Sequence, residues 1–317
     1  GVVHRVLAMP DAHQGYGPPI GGVVPTRYPD GVISPGAVGY DINCGVRLMA
    51  SDVVAEEVRD EIDSLITALF RNIPSGVGKG GGARRVSTQE MDQVLLKGAA
   101  WAVKAGYGQP EDLDRLEERG AMDGADPSAV SPRAKQRGGP QLGTIGSGNH
   151  FIEIQKVTDI FDQEIARGFG LFEGQVTVAI HSGSRGLGHQ VCSDYVSSMQ
   201  AAVQKYGIQL PDRELVCAPL DSPEGRQYFG AMAAAANYAW ANRQCMAHLA
   251  RQSFEEVLAG RVRSFDLYTV YDVAHNIAKI EAHVVDGRKM RLCIHRKGAT
   301  RAFGPGHPDV TPLYRKW

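Results

Sequence analysis

The chain has 317 residues, 43% of them hydrophobic, enough to bury a sizeable core as one large domain or two fused lobes. Thirty-four basic residues against 35 acidic ones leave a formal charge of -1, which excludes a globally basic nucleic-acid binder and restricts any such site to a local patch. Five cysteines, an odd number with no CxxC pair, argue against a disulfide framework and for a reducing cytoplasm, and neither a signal peptide nor an apolar run of about 18 residues points to export or a membrane.

Val2 to Met9 reads as a short buried strand, followed by a glycine-rich loop from Gln14 to Gly22. Gly31 to Ala50 reads as a second strand-loop-strand stretch. Helical period takes over from Glu56 to Phe70, where Val58, Ile62, Leu65, Ile66 and Leu69 share one face, and Pro74 ends it. A basic, glycine-rich loop from Ser75 to Arg85 precedes helices around Thr88 to Ala105 and Glu111 to Glu118. Asp126 to Gly139 is polar and basic and predicts a helix between loops. Thr144 to Val157 and Gln175 to Ile180 predict buried strands, each joined to a polar glycine loop. Ser222 to Leu258 is alanine-rich and helical, with Asp221 or Ser222 able to cap it ahead of Pro223. Leu267 to Val273 and Met290 to His295 predict further strands, with Asp286-Gly287 as a hairpin turn before the second. The interleaving predicts a mixed α/β (α+β) class, with mixed sheets flanked by helices.

Several residues carry possible chemistry. Asp41 and Cys44 lie three apart, and Gly39 and Gly45 would let the backbone curl so that carboxylate and thiol face one point. His150 and His181 are placed at the ends of predicted strands and His275 just beyond another, each beside small or polar loop residues. Strand ends are where sites assemble in α/β folds. Imidazole, carboxylate and thiolate together suit a divalent transition metal, and one thiolate has lone pairs enough to bridge two ions, an arrangement suited to displacement at phosphorus. A strand-end histidine is also commonly a hydrogen-bonded structural residue, and a lone cysteine commonly a small buried hydrophobe, so spacing alone leaves both readings open. His189, His248, His283 and His295 stand in helical or strand-pair contexts and read as structural.

The motifs in order are more specific. Pro10 to Gly17 (PDAHQGYG) with Pro19 to Gly22, Ser34 to Gly36 with Gly39 to Arg47 (GYDINCGVR), Gly143 to Glu153 (GTIGSGNHFIE), His181 to Gln190 (HSGSRGLGHQ), Tyr271 to Lys279 (YDVAHNIAK) and His295 to Phe303 (HRKGATRAF) resemble, from end to end of the chain, the motifs of the RtcB RNA ligase family. The resemblance implies a single catalytic core domain over residues 1–317. It implies an enzyme of tRNA splicing and RNA repair, using GTP and Mn²⁺ to join RNA ending in a 2′,3′-cyclic phosphate or 3′-phosphate to RNA with a 5′-hydroxyl. Two ions would be held by Asp41, Cys44, His150, His181 and His275, with Cys44 bridging and zinc chemically acceptable as a substitute. Asn149, Phe151 and Glu153 would contact the guanine nucleotide, Asp11 would lie next to the reacting groups, and Arg185 and Lys297, in glycine-flanked loops, would bind phosphate. Lys79, Arg84 and Arg85, with Arg133, Lys135 and Arg137, form two basic loop clusters able to track an RNA backbone, and an archease-type activating protein is an implied partner.

One family feature is missing. The nucleophilic histidine of the family lies in a His-Gly-Ala-Gly-Arg-like segment beyond the position of Tyr314-Arg315, and none of the ten histidines here has that context. The chain is therefore expected to lack N-terminal and C-terminal portions of the family protein, and to bind metal without forming the guanylylated intermediate by itself. Two alternatives need only what these residues hold: a dimetal phosphodiesterase opening cyclic phosphates with a bound water, or a noncatalytic RNA-binding fragment.

Overall fold

In this computed structural model, which describes residues 1–76 and 82–317, the chain opens with strands β1 (Leu7–His13), β2 (Ile20–Arg27), β3 (Val32–Ile33) and β4 (Gly45–Val54). Helices α1 (Ala55–Val58), α2 (Ile62–Asn72), α3 (Thr88–Lys97), α4 (Ala99–Lys104) and α5 (Pro132–Gly138) follow. Strand β5 (Phe151–Lys156), helix α6 (Gln163–Gly168), strand β6 (Gln175–Ser182), helix α7 (Arg185–Lys205) and the short β7 (Ala218–Pro219) lead to the 36-residue helix α8 (Pro223–Leu258). Strands β8 (Leu267–Ala274), β9 (Asn276–Val285) and β10 (Arg288–Lys297) complete the elements. The class is mixed α+β as expected, and every ladder between these strands is antiparallel.

Two four-stranded sheets, in the orders β1-β2-β10-β9 and β5-β6-β4-β8, are organised around α8. Ser222 caps this helix, its Oγ accepting from Gly225 N at 3.0 Å, with Pro223 in the first turn where its missing N–H costs nothing. Alanines 231, 233, 234, 235, 236, 239, 241 and 247 are buried along it. Their small side chains let other elements approach on every side, so α8 is a core helix rather than an amphipathic surface one. Its first part joins one apolar cluster with Val94, Leu95, Leu187 and Val191. Met246, Ala250, Phe254 and Leu258 join a second cluster with Leu65 and Leu69 of α2 and Met49, Val178 and Ile180 of the sheet.

Several expectations are corrected. Val2 to Met9 is not a buried strand: β1 starts at Leu7, runs to His13 and is exposed along most of its length, because it is an edge strand paired only with β2. Thr144 to Asn149 is loop, since Gly143 and Gly148 hold φ of 70° and 82° and break the extended run. On α2, Ile66 and Phe70 face outward. Glu111 to Glu118 forms two tight 3-10 turns rather than one helix. The hairpin at Asp286-Gly287 is as expected, joining β9 and β10 with both residues at positive φ, whereas β9 itself was not anticipated. Lys79 lies outside the described residues.

Candidate metal centre

Antiparallel pairing gathers the predicted donors at one end of the sheet β5-β6-β4-β8. The starts of β4 and β5 align with the ends of β6 and β8, through the pairs Gly45↔Ser182, Gly45↔Ala274 and Phe151↔His181. Cys44 immediately precedes β4, His150 immediately precedes β5, His181 is the penultimate residue of β6, and His275 sits between β8 and β9. His150 thus enters its strand rather than ending one. Asp41 is brought in by a curl that Asn43 makes at φ 52°, a conformation asparagine tolerates better than most residues. Two backbone bonds hold it, Cys44 N donating to Asp41 O at 2.9 Å and Asn43 N to Asn276 O at 2.6 Å.

Five side chains converge as two triads sharing Cys44: Asp41, Cys44 and His150, and Cys44, His181 and His275. Cys44 Sγ lies 3.3 Å from His150 Nε2 and 3.2 Å from His181 Nε2. His181 Nε2 is 3.3 Å from His275 Nε2, and His150 Nε2 is 2.9 Å from Asp41 Oδ2. The imidazole separation is close to what two metal bonds of about 2.0–2.1 Å subtend at a tetrahedral angle. The tautomer follows from the network: Nδ1–H of His181 donates to Asn149 O at 3.0 Å, which leaves Nε2 as a bare lone pair aimed at the cluster. Asp41 Oδ1 accepts from Ser184 N at 2.9 Å, while its Oδ2 is buried without a hydrogen-bond partner among the described residues. A buried carboxylate oxygen left over in a set of lone pairs fits a cation better than it fits a closed polar network. Gly183 stands where any Cβ would collide with the Asp41 carboxylate.

The electrostatics are those of an assembled ligand set. Burial, with help from His181, pushes the His275 imidazole down to about 3, and burial also lowers His181, so both are neutral near pH 7. Burial opposes ionisation of Asp41, but the His150 imidazole, with Nε2 2.9 Å from Oδ2, prevails and holds its carboxyl at about 2. Burial and the Asp41 charge drive the Cys44 thiol well above its usual range, with Arg243 pulling the other way.

The remaining predicted residues are placed unequally. Phe151 packs edge-on against His181 at 5.2 Å, and with Glu153 and His150 it lines a pocket of about 540 Å³ walled by Ile66, Phe70 and Ile145. Asn149 is exposed beside it and holds His181 through its main-chain carbonyl. Arg185 is the first residue of α7 rather than a loop residue, with φ 54°, and is buried. It donates to Thr144 Oγ1 at 3.1 Å and Gly76 O at 3.0 Å, and has no carboxylate partner among the described residues. Lys297 is the last residue of β10, buried, with Nζ already donating to Tyr16 O at 2.5 Å and Pro18 O at 3.0 Å. Asp11 lies exposed on β1 and makes no side-chain hydrogen bond or ion pair to the five donors. The basic clusters are partly neutralised: Arg84 pairs with Glu90 and Lys135 with Asp92, and Arg133, Lys135 and Arg137 lie on α5 rather than in a loop. Ser184 and Arg243 were missed from sequence. Ser184 lies inside the HSGSRG motif, and Arg243 is one of three arginines in an alanine-rich helix, with no periodic signal to single it out.

A family model described as tRNA-splicing ligase RtcB matches residues 1–317. The chain is 58% identical to the tRNA-splicing ligase RtcB of Thermococcus kodakarensis, 56% identical to that of Archaeoglobus fulgidus and 52% identical to that of Nanoarchaeum equitans. These matches cover 99%, 99% and 100% of this chain and 65%, 65% and 66% of the relatives, so the chain spans about two thirds of their length. No helix among the described residues is long and apolar enough to cross a membrane. With a family model and relatives of this identity matching along its whole length, the chain belongs to the RtcB tRNA-splicing ligase family.

Proposed function

We propose that the protein is a GTP- and Mn²⁺-dependent RNA ligase of the cytoplasm, joining RNA 2′,3′-cyclic phosphate or 3′-phosphate ends to 5′-hydroxyl ends in tRNA splicing and RNA repair. The observation that carries this reading is the pair of donor triads sharing Cys44, together with a buried Arg185 that has no carboxylate partner among the described residues. Asp41, Cys44 and His150 would hold one ion, and Cys44, His181 and His275 the other, with zinc acceptable to the same donors. Paired ions supply charge neutralisation at a phosphoryl group in transfer.

The protein's own groups divide the remaining work. Arg185, pre-ordered by Thr144 and Gly76, offers its unused guanidinium N–H groups to a phosphate. Lys297 adds a positive charge at the rim of the Tyr16–Pro18 loop. The pocket lined by Phe151 and Glu153 would give a purine an apolar wall, with Glu153 accepting from a base edge and Asn149 meeting the phosphates. Asp11 is the carboxylate available to take a proton from a 5′-hydroxyl when RNA covers β1. The guanylylated histidine stands outside these 317 residues, and an archease-type protein is the proposed activating partner.

The test is incubation of the full-length protein with labelled GTP and Mn²⁺, then with RNA bearing a cyclic phosphate and a 5′-hydroxyl partner. An acid-labile protein–guanylate adduct and a joined product are expected. Opening of the cyclic phosphate with no adduct and no joining would replace the ligase by a phosphodiesterase.

A further inference from the structure

We propose that Arg243 is the positioning residue of the metal centre, one buried guanidinium that sets the spacing of the three strand ends carrying Cys44, His181 and His275. It projects from α8 and is fully buried. Its Nη1 donates to Asn43 O at 2.7 Å and to Ser182 O at 2.9 Å. Its Nη2 donates to Asn43 Oδ1 at 3.0 Å and to Asp272 Oδ1 at 2.7 Å, and its Nε to Asp272 Oδ2 at 2.9 Å. These contacts use all five N–H groups of the side chain.

The partners decide what the contacts do. Asn43 immediately precedes Cys44, Ser182 immediately follows His181, and Asp272 lies on β8 three residues before His275. A planar fork of fixed geometry therefore spans β4, β6 and β8 at the end where their donors emerge. Asn43 takes two of the five bonds while it holds the left-handed conformation that turns Cys44 toward Asp41. The scaffold behind the fork is a helix packed on every side, so Arg243 has little freedom to follow a displaced strand. Asp272 is shared with Arg47, whose Nε donates to Oδ2 at 2.9 Å, so the carboxylate stays anchored when Arg243 is changed.

Arg251 supplies a matched comparison two turns further along α8. It also forms a bidentate pair, with Asp112 at 2.8 and 2.6 Å, and it touches Leu267 O and Thr269, none of which adjoins a donor residue. Lysine at either position keeps the charge and loses the fork.

The inference rests on the metal-binding reading above, and the experiment separates the two. Mn²⁺ binding is measured by the electron paramagnetic resonance of the free ion, and Co²⁺ binding by its thiolate charge-transfer absorption, in the wild type, R243K, R251K and N43G. Glycine at 43 keeps the positive φ and removes only the Oδ1 contact and the Asn43 Nδ2 bond to Ala236 O. We expect R243K to weaken metal affinity about 10- to 100-fold, as loss of a residue that orients ligands does, with a reduced or shifted Co²⁺–thiolate band. N43G shifts the same readouts in the same direction to a smaller degree, and R251K keeps the wild-type affinity and band even where its melting temperature falls. A wild type that takes up neither ion defeats the metal-centre reading itself. Metal uptake by the wild type with equal affinity in R243K and R251K overturns the positioning role. Should R243K fail to fold, the role stands or falls on whether N43G departs from R251K in affinity and band.

Discussion

Cys44 is the donor on which both triads depend, and its burial makes its chemistry conditional. With burial and Asp41 holding the thiol protonated, the sulfur becomes a ligand only by losing a proton to solvent as a cation arrives. Metal uptake should therefore release a proton, detectable with an indicator dye in weakly buffered solution. Because protons compete with the ion for that sulfur, affinity should climb with pH, by up to about tenfold per unit from this group alone. A flat affinity between pH 6 and pH 8 would remove Cys44 from the ligand set. Cys44→Ala should abolish ligation and cost at least one of two bound ions while leaving the fold in place, since only a sulfur is deleted from a polar-lined site. Elemental analysis showing two ions retained in that variant would mean the assignment of donors is wrong.

At the scale of elements, α8 shows how much a sequence reading can hold and where it stops. Its start was legible because Ser222 and Pro223 act locally, through a cap bond and a pre-set φ. Asp286-Gly287 was legible for the same kind of reason. Short-range signals failed where pairing decides: β1 was misplaced because Val2, Val3 and Val6 look like a core strand yet stand at a sheet edge. The five donors are scattered over 235 positions, from Asp41 to His275, and no periodicity joins them. They meet only because the antiparallel register puts two strand starts beside two strand ends, so the motifs identified them and local pattern did not. Arg243 was invisible since its partners Asp272, Ser182 and Asn43 lie 29, 61 and 200 residues away in sequence. Packing on α8 is testable directly. Ala235 has no exposed surface, and Ala235→Leu should cost about 1–3 kcal/mol by overpacking, measured by chemical denaturation. No loss of stability would mean that α8 is looser than its alanine face implies.

For the molecule as a whole, buried carboxylates set the acid limit. Burial opposes ionisation of Glu281, but two bonds from Arg296, at 2.5 and 2.9 Å, and one from His283 hold its carboxyl down at about 2 against an ordinary 4.5. A group depressed in the folded state contributes stability above its unfolded value and loses that contribution as pH falls through its folded one. Glu117, Asp112 and Asp272 are displaced in the same direction. Stability should hold above about pH 4.5 and fall steeply from there toward pH 2. Glu281→Gln should lower stability at neutral pH and flatten that fall, as followed by circular dichroism against pH. An unchanged slope in the variant would exclude Glu281 as a contributor. The passage of α8 through both apolar clusters has one more consequence, for folding. Neither cluster can be completed until residues 223–258 are in place, so the two halves of the interior share one cooperative event. Calorimetry of this chain should then show a single transition whose van't Hoff and calorimetric enthalpies agree.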